Sequence, residues 1–174
     1  MKFLSVRFLP VSIDLIDKGT LVKQNGWELY ATNHFENQLD QLIEDVERLA
    51  IHDPLFYNHK KYKLLLAIQD NIYNKVPENP NDSKYRLGTT LGKQHAHWRR
   101  VKKNNLPPRY RLFFQFRSDA KTIIYAWLND EATLRKEGAK TDVYAVFESM
   151  LAKGKPPTTW DELIKMVTPL KNSN

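Results

Sequence analysis

The sequence predicts an α+β domain in which an N-terminal strand and a helical hairpin pack on an antiparallel sheet, followed by C-terminal helices. Three observations carry that reading. Apolar residues recur at helical spacing from Phe35 to Leu49 and again from Leu64 to Val76. The pattern then turns to strands rich in aromatic and β-branched side chains in RLFFQF and KTIIYAWL. Helical spacing returns after Asn129. With 174 residues and 41% hydrophobic content, the chain is sized for one core-bearing domain.

Residues 1–24 read as an N-terminal extension, apolar but poorly alternating, and residues 25–170 as a single domain. The opening MKFLSVRFLPVSIDLI is interrupted by Arg7, Pro10 and Asp14, so it suits neither a signal peptide nor a membrane span, which needs about 18 apolar residues. A soluble, cytoplasmic protein is expected.

Gly26 to Thr32 suits a short strand, with Trp27, Leu29 and Ala31 on one side. A helix is expected from Asn33, because Asn33 and Glu36 stand at capping-box spacing. Phe35, Leu39, Leu42, Ile43, Val46 and Leu49 form its apolar stripe. His52, Asp53 and Pro54 end it, and a second helix is expected over about Asn58 to Lys75. PENPNDS closes the helical half.

Strands are expected at Tyr85 to Gly88, Trp98 to Lys103, Arg109 to Arg117 and Thr122 to Asn129. The short links NNLPP and SDA favour antiparallel neighbours, with the helices on one face of the sheet. Asp142 is placed to cap a helix carrying Val143, Val146, Phe147, Met150 and Leu151. Thr159 and Glu162 form a second capping box.

The chain has no cysteine, which excludes disulfides and thiolate chemistry. Its formal net charge is +7, and from Ser83 to Ser118 it carries ten lysines and arginines and no acidic residue. Such a footprint favours a phosphate-bearing partner. Strand alternation puts Arg109, Arg111, Phe113, Gln115 and Arg117 on one face and Tyr110, Leu112, Phe114 and Phe116 on the other. Trp98, Arg100 and Lys102 likewise share a side, so pairing the two strands brings Arg100, Lys102, Arg109 and Arg111 together.

Such a patch can serve phosphate chemistry without a metal. Arginines and lysines stabilise the charge that develops when a ribose 2′-hydroxyl attacks its own phosphodiester. It can equally be a binding face for RNA or an acidic partner, or a solvated strand edge. His95 and His97 lack the companion residues of a metal site. WLNDEATLRKEGAKTDVY crowds polar groups just beyond an apolar strand, a place for function or for turn and cap chemistry. Trp27, Trp127, Phe147 and Trp160 fall on apolar faces and are expected in the core; Trp98 is left open.

NGWELYA, DP followed by KLLLAI, YRLGTTLG, HWRRVK, RYRLFF, WLNDEATLR, GAKTDVYAVFESML and GKPPTTW resemble, in this order over about residues 25–163, the YhaV toxin family. That family is the toxin half of the PrlF/YhaV type II toxin-antitoxin system and is similar to the RelE-like ribonucleases. The resemblance implies a RelE-like fold and a metal-independent, cofactor-free endoribonuclease that cleaves messenger RNA, often on the ribosome, and arrests translation. It implies a PrlF-like antitoxin partner, with operator DNA bound only through the toxin-antitoxin complex.

By the same resemblance the catalytic residues are Arg100, Lys102 and Arg111, with Arg135, Lys140 and Tyr144 completing the site as RNA-binding residues, to which the basic stretch adds Arg86, Trp98 and Arg109 as RNA-binding candidates. Residues 1–24 have no counterpart in the family pattern, and NNLPP makes the loop between the basic strands proline-rich. The competing function is a non-enzymatic module that binds RNA, the ribosome or an antitoxin through the same basic patch.

Overall fold

Lys23–Gln24 (β1) turns through Asn25 and Gly26 into Trp27–Thr32 (β2). Both turn residues have positive φ, 50° and 80°, as a two-residue hairpin turn of type I′ requires. The computed structural model describes residues 21–170. Residues 1–20 of the expected extension lie outside them. Val22 is fully buried, and its carbonyl accepts the Leu29 amide at 3.0 Å.

Helix α1 spans Asn33–His52. Its cap is Thr32 rather than Asn33, because the Thr32 hydroxyl accepts the Phe35 amide at 3.2 Å. Glu36 instead accepts from the Thr168 hydroxyl at 2.6 Å, so the predicted capping box does not form. The second helix, α2, spans Lys60–Asp70. It continues through a π-helical turn at Asn71–Lys75 into a last turn at Val76–Glu78, where a uniform helix was expected. The wide turn is held from outside: the Tyr125 hydroxyl donates to the Ile72 carbonyl at 2.8 Å. Buried Asn71 donates to the carbonyls of Ala67 and Asn104 at 2.7 and 3.1 Å.

The remaining strands are Arg99–Val101 (β3), Leu112–Arg117 (β4), Thr122–Leu128 (β5) and Val167–Pro169 (β6). They form one six-stranded sheet of order β1-β2-β5-β4-β3, with β6 also on β2. β3–β4 and β4–β5 are antiparallel as predicted, whereas β2 and β5 run parallel. A parallel neighbour needs a long crossover, and the helical hairpin together with β3 and β4 supplies it. The strand expected over Tyr85 to Gly88 reduces to a 3-10 turn at Ser83–Tyr85 and a single bridge from Arg86 to Arg99. The two basic strands also come out shorter than expected. Asn104, Asn105 and Arg109 have φ of 59°, 64° and 74°, and Pro107 and Pro108 have no amide proton for a ladder.

Helices cover both faces of the sheet, not one. Leu29, Ala31, Leu112, Phe114, Ile123 and Tyr125 pack with Phe35, Leu39, Val46 and Leu65 from α1 and α2. On the other face Phe113, Ile124, Ala126 and Trp127 pack with Val143, Phe147 and Leu151 of α3, Val143–Ala152, and with Leu163 of α4, Trp160–Leu163. Every residue of β5 is buried, as a strand covered on both faces must be. A register shift between Phe113 and Phe114 accommodates Ala126, so that Ala126 and Trp127 both face α3. Among the described residues no helix is long and apolar enough to cross a membrane.

Candidate active site

The register of one strand pair and the docking of one helix build the site. Arg100 pairs with Phe113 across β3 and β4, which aims it at the face covered by α3. Phe113 stacks on Phe147 with ring centroids 4.0 Å apart and meets Tyr144 edge-on at 6.0 Å. Tyr144 lies one turn before Phe147 on α3, so this packing sets its ring among the arginines. The guanidinium carbons of Arg100, Arg111 and Arg135 lie 5.5, 6.0 and 5.2 Å from the ring centroid.

Arg111 is oriented by two hydrogen bonds of its guanidinium and one of its amide. Its Nε donates to the Tyr144 hydroxyl at 3.0 Å and its Nη1 to the Tyr110 carbonyl at 2.6 Å. Its amide donates to the Asn129 side-chain oxygen at 2.5 Å. Asn129 is 1% exposed, and its other end donates to the carbonyls of Arg109 and Thr133 at 3.1 and 3.0 Å. One buried amide therefore ties the entry of β4 to the loop after β5.

Arg100 is 7% exposed, yet no carboxylate pairs with it among the described residues. One nitrogen donates to the Arg86 carbonyl, and the buried Nε has no partner. Burial first, then the charges of Arg111 and Arg135, hold its pKa below the usual arginine range, with Tyr144 acting the other way. A buried cation in this state costs several kcal/mol in general. An anion seated against it removes that cost.

Arg135 differs in having its own counter-charges: Asp142 at 2.5 Å and the exposed Glu137 at 3.5 Å. Asp142 also caps α3 by accepting the Tyr144 amide at 3.0 Å. Burial alone would raise its carboxyl, but the bonds from Arg135 and from the amides of Lys136 and Tyr144 prevail and lower it. Lys102 follows β3 on the same side and is exposed. The neighbouring charge of Arg100, then partial burial, Lys103 and Arg111, hold its pKa below the ordinary lysine value.

Of the predicted site residues, Arg100, Arg111, Arg135 and Tyr144 are thus brought together, with Lys102 beside them. Trp98 is removed from the site: it is fully buried and packs edge-on against Phe147 at 5.1 Å, so no ring face is open to a base. Arg109 is exposed and donates to the Arg135 carbonyl at 2.8 Å, bracing the loop. Lys140 is exposed on the turn before α3 and makes no hydrogen bond or ion pair among the described residues. Arg86 offers its carbonyl to Arg100, while its charge acts on Arg99. The middle of the β4 face expected in solvent is covered, with Phe113 and Gln115 at 0% and 3% exposure. His95 and His97 contact Thr158 at 3.3 Å (hydroxyl) and 2.7 Å (carbonyl).

Comparison with known proteins fits this geometry. The family model described as a toxin with endonuclease activity, of a toxin-antitoxin system, matches residues 29–168. The chain belongs to the YhaV toxin family. It is 41% identical over 143 residues to the "Ribonuclease toxin YhaV" of Escherichia coli strain K12, covering 81% of this chain and 92% of that protein. It is 42% identical over 141 residues to "Toxin YhaV" of Escherichia coli O6:H1, covering 80% and 90%. No solved structure matches the chain. As a YhaV-family member it is a toxin with endonuclease activity, part of a toxin-antitoxin system, and the arginine cluster lies within the matched span.

In this YhaV-family chain two supporting residues have weak signals in the sequence and a third has none. Asn129 stood out only as one of several polar residues, and Asp142 only as a cap. Asn71, which pins the loop between β3 and β4 through Asn104, left none in an otherwise regular helical pattern. The left-handed Asn104–Asn105 pair in NNLPP is the one local hint, since asparagine tolerates that conformation.

Proposed function

We propose that the cluster cleaves messenger RNA without a metal, by attack of a ribose 2′-hydroxyl on the adjacent phosphodiester. The observation that carries this reading is the pair Arg100 and Arg111: both converge on Tyr144, and neither has a carboxylate partner among the described residues. They hold the phosphoryl oxygens and stabilise the charge of the pentavalent transition state. Lys102, in its neutral form, takes the 2′-hydroxyl proton as the 2′-oxygen bonds to phosphorus. Tyr144 already accepts a hydrogen bond from Arg111, which leaves its own proton to be given to the departing 5′-oxygen. The products are a 2′,3′-cyclic phosphate and a free 5′-hydroxyl. Arg135 and Asp142 hold Tyr144 in place, and Arg109 keeps the loop of Arg135 against the strand.

In the cell the chain acts in the cytoplasm on ribosome-associated messenger RNA, and a PrlF-like antitoxin neutralises it by covering this cluster. Operator DNA is bound only through the complex of the two. Inducing the chain without its antitoxin stops growth and produces new messenger RNA ends with cyclic phosphates. Arg111→Ala relieves both, with cleavage lowered about 100- to 1,000-fold as for loss of one oxyanion donor, while its thermal midpoint stays within a few degrees. RNA left intact by the wild-type chain, with and without ribosomes, overturns the reading.

A further inference from the structure

A second basic recess lies next to the cluster and shares Lys102 with it. Its volume is about 230 Å³, and Lys84, Arg86, Lys102, Lys103 and Asn104 line it. Asp82 takes Lys84 at 3.3 Å, which leaves Arg86, Lys102 and Lys103 with no carboxylate among the described residues. The recess is a built feature rather than a drift of surface lysines. Its floor is Tyr85, 1% exposed, whose hydroxyl donates to the Lys75 carbonyl at 3.1 Å. Its rim is Asn104, whose side chain donates to the Tyr85 hydroxyl at 3.1 Å and to the Asn71 side chain at 3.2 Å. The π-turn of α2 thereby fixes the wall that carries Lys102 and Lys103.

The position of the recess sets a direction along the RNA. Val101 pairs with Leu112, so Lys102 stands opposite Arg111, one step nearer the loop, while Tyr144 packs over Phe113. The nucleotide whose 2′-hydroxyl Lys102 serves lies on the recess side, and the departing 5′-oxygen lies toward Tyr144. We propose that the recess binds the backbone phosphate immediately 5′ of the scissile one. The inference rests on the cleavage reading above and adds a subsite to it: this phosphate orients the attacking nucleotide, and Arg86 and Lys103 supply its charge partners.

The test uses a short RNA spanning a mapped cut, with a 2′-deoxy sugar at the attacking nucleotide so that binding is read without cleavage. Two further versions carry a neutral methylphosphonate, one at the linkage upstream of the cut and one downstream. Fluorescence anisotropy with the full chain is expected to show about tenfold weaker binding of the upstream-neutral RNA, the loss of one charge-assisted contact set. The double variant Arg86→Ala/Lys103→Ala, both exposed and checked by thermal melting, binds unmodified RNA about tenfold more weakly. It no longer distinguishes upstream-neutral from unmodified RNA, yet still distinguishes the downstream-neutral one. If the variant and the upstream substitution multiply their losses, or the upstream substitution costs nothing while the wild type cuts RNA, the subsite is wrong. If the wild type cuts no RNA, the cleavage reading falls and takes the subsite with it.

Discussion

Both faces of the sheet are covered by apolar side chains, more of them on the side of α1 and α2, but they differ in what their edges carry. Against α1 and α2 the core is aliphatic with a few rings, and its boundary includes paired polar groups: Lys61 with Asp45 at 2.6 Å, Gln38 with both backbone groups of Leu128 at 2.6 and 3.1 Å. Against α3 the core is a stack of Phe113, Trp127 and Phe147 with Trp98 edge-on to it, and at its boundary Arg100 and Arg111 have no carboxylate partner among the described residues. The first face opens, between α1, α2 and the loop after β5, into a cleft of about 900 Å³ lined in part by Leu42, Asp45, Lys61 and Glu131, whereas the second gathers Arg100, Arg111 and Arg135 around Tyr144. The difference teaches that the rigid aromatic layer is what lets this protein tolerate an uncompensated charge at a fixed place.

The harshest way to break the contrast is Phe147→Ala, with Phe35→Ala as its counterpart on the first face. Each is expected to cost about 3–5 kcal/mol in urea unfolding, because each empties a core position of an aromatic ring. Their activities part company below the melting transition. The Phe35 variant keeps its turnover per folded molecule, and the Phe147 variant loses it, because Tyr144 loses its support. Equal turnover in the two would show that α3 does not position the site.

Tyr144→Phe probes the same edge more gently. Removal of the hydroxyl lowers kcat about 100-fold, in the range for a lost proton donor, with KM nearly unchanged. Unfolding moves by less than about 1 kcal/mol, since one hydrogen bond is lost from a ring that remains packed. A drop in KM-dependent binding alone would make Tyr144 a substrate contact and not an acid.

Arg100→Met sharpens the comparison by its sign. A buried, unpaired guanidinium opposes folding, so an apolar side chain of similar length leaves stability unchanged or raises it by about 1 kcal/mol, while cleavage collapses. On the first face Arg99 also has a buried Nε without a partner but is only half-buried, so Lys61, paired with Asp45, is the cleaner contrast, and Lys61→Met is expected to be slightly destabilising. Loss of stability on Arg100→Met would mean that the Arg86 carbonyl contact outweighs the burial cost.

The smallest effect is a titration. Lys102 has its pKa lowered in the folded chain, chiefly by Arg100, so its neutral form grows at a lower pH than in an unfolded lysine. The rate therefore rises with pH and levels off before the ordinary lysine range. For the fold the sign is the same: the protonated form is disfavoured when folded, so this group adds stability as pH rises through its folded pKa. Labelled-lysine NMR reads the midpoint directly, and Arg100→Met moves it upward; an unmoved midpoint removes Arg100 as its cause.

Much of the fold was legible because it rests on local chemistry. The helix pattern over Phe35 to Leu49, the strand character of KTIIYAWL, the Asp142 cap and the antiparallel pairing of the two basic strands all follow from spacing and residue type. The wrong steps came where spacing is silent. Thr32 outcompeted Asn33 as a cap because its hydroxyl also donates to the Ala126 carbonyl at 2.7 Å, a partner distant in sequence. The π-turn at Asn71–Lys75 depends on contacts from β5 and from the loop after β3. Helices on one face were expected because alternation in RYRLFFQFR suggests a wet side, but α3 returns from the far end of the chain to cover it.

The site divides in the same way. By itself the sequence determined that Arg100, Lys102 and Arg111 fall on one side of a basic hairpin, since alternation is a property of the strand. The family resemblance had already named Arg135 and Tyr144, but only the tertiary structure decided that they pack against Arg100 and Arg111, that Trp98 leaves them for the core, and that Arg100 is buried without a counter-ion among the described residues. The physical reason is that burial and charge pairing are set by what packs from elsewhere in the chain, and α3 lies more than a strand and a loop away from the residues it completes.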